Sequence, residues 1–303
     1  MNKSSSPLLS QFLSITQPLW LVSGLVFYSL GGALTVYLGG VINWPVYWLG
    51  QAAVTMLQVS AALLNAYYEI PDPVTNPQAA LRAREAGRND PPRTAVLQAA
   101  ATTLTIGAVL TVLLFNNKAM NLSVFLVLGL AFVLAFFYAV PPTRLVSRGY
   151  GELIESFITA ALFPTLAYLF QTGEMHRMLT MLTFPLVALY LAMKLATSLE
   201  GYGDDLKQGR KTLMVRLGWQ NGMVLHNILV LGAYVMIGVA SLLGLPWVIT
   251  WPALLSLPVG GLQILQMNQI AGGAKPAWRQ LNLTAAATVA LTVYLIIFTL
   301  WTR

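Results

Sequence analysis

Nine apolar stretches, each long enough to cross a bilayer, follow one another along this chain, and that pattern excludes most of the ways in which it could fold. They run over 18–40, 44–70, 94–115, 120–140, 151–171, 178–199, 221–243, 246–267 and 281–302. A helix needs roughly 20 apolar residues to traverse a hydrocarbon core about 30 Å thick. Backbone groups in lipid must be satisfied within their own segment, so each stretch is predicted to be an α-helix. The expected fold is an all-α, polytopic membrane bundle of about nine transmembrane helices, forming a single domain over 1–303. Composition agrees, with 57% hydrophobic and 9% charged residues, against about 25% charged in a soluble domain. One soluble core could not hide so much apolar surface, whereas a lipid solvent removes the need. The first stretch lacks a small-residue cleavage site and is too long for a signal peptide, so it is expected to be retained as a helix.

The charges lie in the breaks between these stretches. With the N-terminus inside, the inner segments hold Lys3, Arg82, Arg84, Arg88, Arg93, Arg144, Arg148, Lys207, Arg210, Lys211, Arg216, Lys275 and Arg279, and the outer side holds Lys118, Arg177 and Arg303. Thirteen cations against three set the N-terminus in the cytoplasm and the C-terminus outside. The +7 net charge is thus a topology signal, and no nucleic-acid partner is expected. There is no cysteine, which excludes disulfides and thiolate chemistry. The two histidines, His176 and His226, are too far apart to suggest a metal centre and are expected to be structural. Nine of the ten acidic residues also fall on the cytoplasmic side, with only Glu174 outside. Topology does not ask for that, since carboxylates contribute little to it.

Two carboxylate clusters account for most of the excess. The first closes the second stretch: Asn65-Ala-Tyr-Tyr-Glu69-Ile-Pro-Asp72-Pro. Asn65 and Glu69 are four residues apart and share a helical face, with Asp72 on nearly the same line at i+7. Pro71 and Pro73 end the helix. The second closes the sixth stretch: Glu200-Gly-Tyr-Gly-Asp204-Asp205-Leu-Lys207-Gln-Gly-Arg210-Lys211-Thr-Leu. Glu200 and Asp204 are again i, i+4. Hard oxygens from two helix ends, with Lys and Arg nearby, suit Mg²⁺ bridging a diphosphate. The bland reading of either cluster is a solvated loop; the repetition at two cytoplasmic helix ends argues against it.

These residues resemble those of the UbiA superfamily of intramembrane prenyltransferases, which have nine helices and two Asp-rich motifs at the cytoplasmic ends of helices 2 and 6. The first family motif reads Asn-Asp-x-x-Asp-x-x-x-Asp; here Asn65 and Glu69 match its first and third elements, Ala66 replaces an Asp, and Asp72 stands one residue early. The second reads Asp-x-x-x-Asp before a Gly-Lys/Arg-Lys/Arg-Thr-Leu tail, closely matched by Gly209-Arg210-Lys211-Thr212-Leu213. Glu200 and Asp204 are the preferred acids of that motif, because this choice keeps both carboxylates; Asp205 is the alternative, which would put Gly201 at the first position. Phe136-Phe137-Tyr138-Ala-Val-Pro141-Pro142-Thr-Arg144-Leu, followed by Gly151-Glu152-Leu, is similar to the helix 4–5 connection of dihydroxynaphthoate polyprenyltransferases. Gln17-Pro18 departs from that family's usual Arg-Pro.

The resemblance implies Mg²⁺-dependent transfer of an isoprenyl chain from a prenyl diphosphate donor to a small aromatic acceptor in the lipid bilayer, a quinone precursor such as dihydroxynaphthoate of the menaquinone pathway. It implies an integral protein of a bacterial inner membrane with its active site facing the cytoplasm. Asn65, Glu69, Asp72, Glu200, Asp204 and Asp205 would hold metal. Asn65, Glu69, Glu200, Asp204 and Tyr138 would carry catalysis, and Lys207, Arg210, Lys211, Arg144 and Lys194 would meet the diphosphate. Tyr67, Tyr68, Phe136, Phe137 and Tyr138 are candidates to stabilise an allylic cation. Lys194 and Glu155, ionisable inside predicted helices, are functional hypotheses by default: Lys194 could snorkel or pair with a carboxylate or diphosphate, and Glu155 could orient a phenol. Glu152, in the first turn of the fifth helix, suits the helix dipole. Two alternatives stand beside this: a UbiA-type terpene cyclase, which would form product without an acceptor, and a non-catalytic lipid-binding or transport protein.

Overall fold

The computed structural model describes residues 15–85 and 90–303. Lys3 and Arg88 lie outside these, as does the side chain of Arg84. Among the described residues nine helices are long and apolar enough to span a membrane: α1 (Pro18–Tyr37), α2 (Trp44–Glu69), α3 (Arg93–Asn116), α4 (Leu122–Ala139), α5 (Gly151–Thr172), α6 (Arg177–Glu200), α7 (Trp219–Leu242), α8 (Trp247–Ala271) and α9 (Trp278–Thr302). The chain is an integral membrane protein, an all-α bundle as its hydropathy pattern requires.

Local chemistry sets the helix ends. Asn43 and Asn121 accept hydrogen bonds from the backbone N–H groups of Val46 and Val124, capping α2 and α4. His176 does the same for α6 through Nδ1, at 3.3 Å from the Met178 nitrogen, which is a structural role. Gly173, at φ 76, closes α5 in the left-handed conformation. The short helices Pro77–Glu85, Tyr202–Gln208 and Leu213–Leu217 lie in the charged connections.

Two apolar clusters meet along α1. One joins α1 to α2, α4 and α5 through Tyr28, Val54, Ala131 and Leu166; the other joins α1 to α6, α7, α8 and α9 through Phe27, Leu186, Ala233 and Val293. In lipid, helices associate by close packing, because tails are as apolar as the side chains they would release. Small residues therefore sit where helices touch. A Cβ added at Gly31 of α1 would collide with the Pro164 carbonyl oxygen and come within 2.7 Å of the Ala167 Cβ. Gly31→Val should accordingly force α1 off α5 and lower the detergent melting temperature by several degrees, on the scale of an overpacking cost of about 1–3 kcal/mol. A thermal unfolding scan checks this, and an unchanged midpoint would contradict the packing.

Helix α5 carries a π-helical turn over Ile158–Leu162, just before Pro164. Proline cannot donate to the ladder, and one extra residue per turn absorbs the mismatch. The wider turn presents Thr159, whose hydroxyl accepts from Trp20 Nε1 at 2.9 Å. This ties α1 to α5 directly beneath the charged end of the bundle.

The charged connections are anchored from below. Leu213 and Met214 are buried with Leu195, Leu199, Met223 and Leu281, which pins the stretch after Gly209 against α6, α7 and α9. Ile70 packs with Leu63, Val96 and Ala100, which fixes the exit of α2 against the start of α3.

Candidate active site

Helix α2 delivers Asn65 and Glu69 on one face, as their spacing requires, and each meets an arginine from a different connection. Arg144 Nη2 lies 3.4 Å from Asn65 Oδ1. Arg210 Nη2 lies 2.9 Å from Glu69 Oε1. Arg210 also reaches Asp205 Oδ1 at 4.0 Å. One guanidinium therefore bridges the carboxylates that end α2 and follow α6, and the two sequence clusters form one site.

Glu200 and Asp204 do not share a face. Their i, i+4 spacing would align them in one continuous helix, but α6 ends at Glu200 and a new short helix begins at Tyr202. Glu200 turns to α9, where its Oε2 accepts from Asn282 Nδ2 at 2.6 Å. Asp204 stands in solvent, paired with Lys207 at 3.5 Å across side chains that are nearly four-fifths exposed. Such a pair is worth little. Asp205 is the carboxylate turned toward Glu69, its side chain only 16% exposed. Burial pushes its carboxyl above the ordinary aspartate range, against the pull of Arg210 and with the help of the charges on Asp204 and Glu69.

Asp72 also leaves the line expected of it. Helix α2 stops at Glu69 and Ile70 is extended, so the i+7 position is not on the helix. The Asp72 carboxylate accepts from the Val74 N–H at 2.9 Å and pairs with Arg93 at 2.6 Å. The Val74 hydrogen bond, with Arg93 behind it, holds the carboxyl below its usual range. Asp72 is thus a clasp between α2 and α3. Tyr67 serves the same clasp, with Arg93 4.5 Å above its ring.

Arg144 is held in a left-handed conformation, φ 32 and ψ 64, which costs a non-glycine residue on the order of 1 kcal/mol. Its Nε is buried without a hydrogen-bond partner. Burial pulls its pKa below the ordinary value despite the nearby Glu69. A strained, partly desolvated guanidinium with unused donors is built to receive an anion. Arg148 and Arg216 brace this turn: Arg148 donates to the Pro142 carbonyl at 2.8 Å, and Arg216 donates to the Arg148 carbonyl at 3.0 Å while covering the Tyr150 ring at 4.0 Å. Nothing local in the sequence announces these two roles. Lys211 is exposed beside Arg210.

Beneath the arginines lies a cavity of about 260 Å³ whose lining includes Tyr138, Glu152, Glu155, Lys194 and Thr212. Tyr138 is buried there, 5.9 Å from the Trp20 ring. Of the aromatic residues that could have faced an allylic cation, it is the one that lines this cavity. Phe136 and Phe137 are more than 40% exposed on the outer face of α4, and the Tyr67 ring packs under Arg93. Lys194 does not reach the motif carboxylates, since its Nζ sits 2.8 Å from Glu155 Oε1. Glu152 accepts the Leu213 N–H on both oxygens at 3.1 Å, a bond across 61 residues that fastens the Gly209–Leu213 stretch over the cavity. Its partner lies too far along the chain to be read from spacing. His226 is buried in α7 and does not line this cavity, with Nδ1 2.9 Å from Asn227 Oδ1.

Among the described residues no three histidine or carboxylate side chains converge tightly enough to hold a metal by themselves. The donors present still fit Mg²⁺, which usually takes one or two protein carboxylates and completes its shell with water and substrate phosphate. Asn65 Oδ1, Glu69 and Asp205 are hard oxygens on one rim, and a cationic group already sits between the two carboxylates.

The chain is similar in fold and in sequence to known proteins. The chain superposes on a UbiA homologue from Archaeoglobus fulgidus, solved bound to GPP and Mg²⁺, with a TM-score of 0.63 over 94% of this chain and 99% of that one at 16% identity. It also superposes on a structure of digeranylgeranylglyceryl phosphate synthase, with a TM-score of 0.63 over 97% and 99% at 14% identity. A 1,4-dihydroxy-2-naphthoate octaprenyltransferase of Bacillus subtilis (strain 168) is 21% identical over 169 residues, 56% of this chain. That match spans 54% of the Bacillus protein. The model of the UbiA prenyltransferase family matches residues 24–284, which takes in both motif regions and leaves out the start of α1 and most of α9. The chain belongs to the UbiA prenyltransferase family.

Proposed function

We propose that this protein transfers an isoprenyl chain from a prenyl diphosphate to a small hydroxylated aromatic acceptor in the membrane, with Mg²⁺, and that the acceptor is a quinone precursor of the dihydroxynaphthoate class. The observation that carries the reading is the meeting of Glu69 and Asp205 on Arg210, beside Arg144 and Asn65, over a cavity walled by Tyr138. The Bacillus relative's name supports the acceptor class, and the archaeal homologue solved with GPP and Mg²⁺ supports the donor and the metal.

On this reading Asn65, Glu69 and Asp205 hold the metal, which when bound neutralises diphosphate charge and makes it a better leaving group. Arg144 and Arg210 receive the diphosphate oxygens. Arg210 would be released to do so once Glu69 and Asp205 held a metal in its stead. Tyr138 and Trp20 close the apolar side, keeping water from the allylic carbon as its bond to diphosphate oxygen breaks. Diphosphate departs, and an acceptor ring carbon bonds the allylic carbon and gives up its own proton, or its carboxyl group as CO₂. The charged end then faces the cytoplasm, where the diphosphate head group of the donor is solvated, in keeping with the cation bias of the loops.

Mass spectrometry of products from purified protein given geranylgeranyl diphosphate and Mg²⁺, with and without dihydroxynaphthoate, tests this directly. A prenylated naphthalenediol, or the quinone that air makes of it, is expected only when acceptor and metal are both present, and EDTA should abolish it. A hydrocarbon formed without acceptor would replace the transferase reading with a cyclase. No consumption of donors of several lengths would overturn the donor assignment.

A further inference from the structure

Arg210 reaches its place from a stretch with no regular structure of its own. The short helix Tyr202–Gln208 ends at Gly209, in the left-handed conformation at φ 68, and the next helix begins at Leu213. Arg210, Lys211 and Thr212 bridge the two, with Arg210 and Lys211 exposed. A bridge with so few buried contacts opens easily unless its ends are held.

One end is held from within the connection, where the Arg210 N–H donates to the Asp205 carbonyl at 2.8 Å. The other end is held from outside it. Leu213 opens a short helix, so no earlier turn offers its N–H a partner. Both Glu152 oxygens accept that N–H, each at 3.1 Å. Burial of Leu213 and Met214 sets how deep this end sits. Apolar packing is non-directional, so the hydrogen bond is what orients it. Glu152 belongs to the first turn of α5, directly after the connection that carries Arg144. The two stretches touch there again: Arg216 donates to the Arg148 carbonyl at 3.0 Å, and a Cβ built on Gly149 would stand 3.1 Å from the Thr212 carbonyl oxygen. The places of Arg144 and Arg210 are thus both referred to one end of one helix. Glu152 lines the cavity, yet both of its oxygens are spent on the chain.

We propose that Glu152 is a positioning residue for the donor: by tying the Leu213 N–H to α5 it sets Arg210 on the same rim as Arg144, so that both guanidinium groups meet one diphosphate. It acts through Arg210 and touches neither substrate. This deepens the transferase reading and rests on it for the diphosphate at Arg210.

A binding cycle tests this without turnover. Full-length protein in detergent is titrated calorimetrically with inorganic diphosphate in the presence of Mg²⁺, as wild type, Glu152→Ala, Arg210→Ala and the double variant. Each single variant should weaken binding about tenfold, the scale of one charge-assisted hydrogen bond. The double variant should bind no more weakly than Arg210→Ala alone, because a positioning residue has nothing to act on once the guanidinium is gone. Glu152→Gln keeps one oxygen to accept the N–H and should bind within about threefold of the wild type. If circular dichroism shows Glu152→Ala unfolded, Glu152→Leu, which keeps the side-chain volume, replaces it in the cycle. A group that contacts the diphosphate, or one that only holds the fold, acts whether or not Arg210 is present. Losses that multiply in the double variant, wild-type affinity in Glu152→Ala, or a glutamine variant as weak as the alanine one would therefore each overturn the assignment alone. A wild type that binds no diphosphate would overturn the donor reading and this assignment with it.

Discussion

Asp205→Asn is expected to cut turnover by roughly 10²–10³-fold, the scale on which removal of one preorganised electrostatic group from a reacting centre is felt. Glu69→Gln should fall as far. The reason is shared: each supplies half of the carboxylate pair that Arg210 now bridges, and neither has a substitute within reach. Asp204→Asn should cost only a few-fold, because its carboxylate is 77% exposed and engaged only with Lys207. The contrast between adjacent aspartates makes the experiment informative. Single-turnover rates at saturating Mg²⁺, with circular dichroism to show intact helices, decide it. Equal losses for Asp204→Asn and Asp205→Asn, or loss at Asp204 alone, would return the second motif to the register that pairs Glu200 with Asp204.

Arg144→Ala should raise the donor KM by one to two orders of magnitude, about what a charge-assisted hydrogen bond contributes, with little change in the acceptor KM. Its Nε is buried and unpartnered, and its nearest polar contact, Asn65 at 3.4 Å, is long for a hydrogen bond. The side chain thus contributes little to the fold it sits in. Lysine should rescue only in part, since it restores charge without the planar fork that grips two phosphate oxygens. Glycine sharpens the test. Arg144 sits at φ 32, so Arg144→Gly should relieve strain and leave the melting temperature equal or slightly higher while the donor KM rises like that of the alanine variant. A destabilised glycine variant with an unchanged donor KM would show that Arg144 is a structural residue.

How far the sequence reached can be followed residue by residue. Asn65 and Glu69 were legible as one face because both lie inside a long apolar helix, where spacing fixes direction. Asp72 and Asp204 were not, because each inference carried helical spacing past a break: α2 stops at Glu69 and α6 stops at Glu200, and beyond those points the chain turns. The partners Arg93 for Asp72, Asn282 for Glu200 and Leu213 for Glu152 come from elements 21, 82 and 61 residues away in sequence. No local pattern records such distances. Phe136 and Phe137 share a motif with Tyr138, yet a helix turns successive residues by about 100°, so only one of the three could face the cavity.

The sequence by itself determined the solvent, the helices and the charge asymmetry of the two ends. The bilayer demands about 20 apolar residues per crossing and leaves the backbone no partner but its own segment. It also determined that two oxygen-rich helix ends lie on the same side, since each follows an even number of crossings. The tertiary structure alone decided which of those oxygens meet. That depended on where helices end, on the wide turn before Pro164 that lets Thr159 hold Trp20, and on the docking of Leu213 and Met214 that swings Arg210 between Glu69 and Asp205. In lipid these contacts are chosen by close packing and by the need to satisfy each buried polar atom, and both are properties of the assembled bundle.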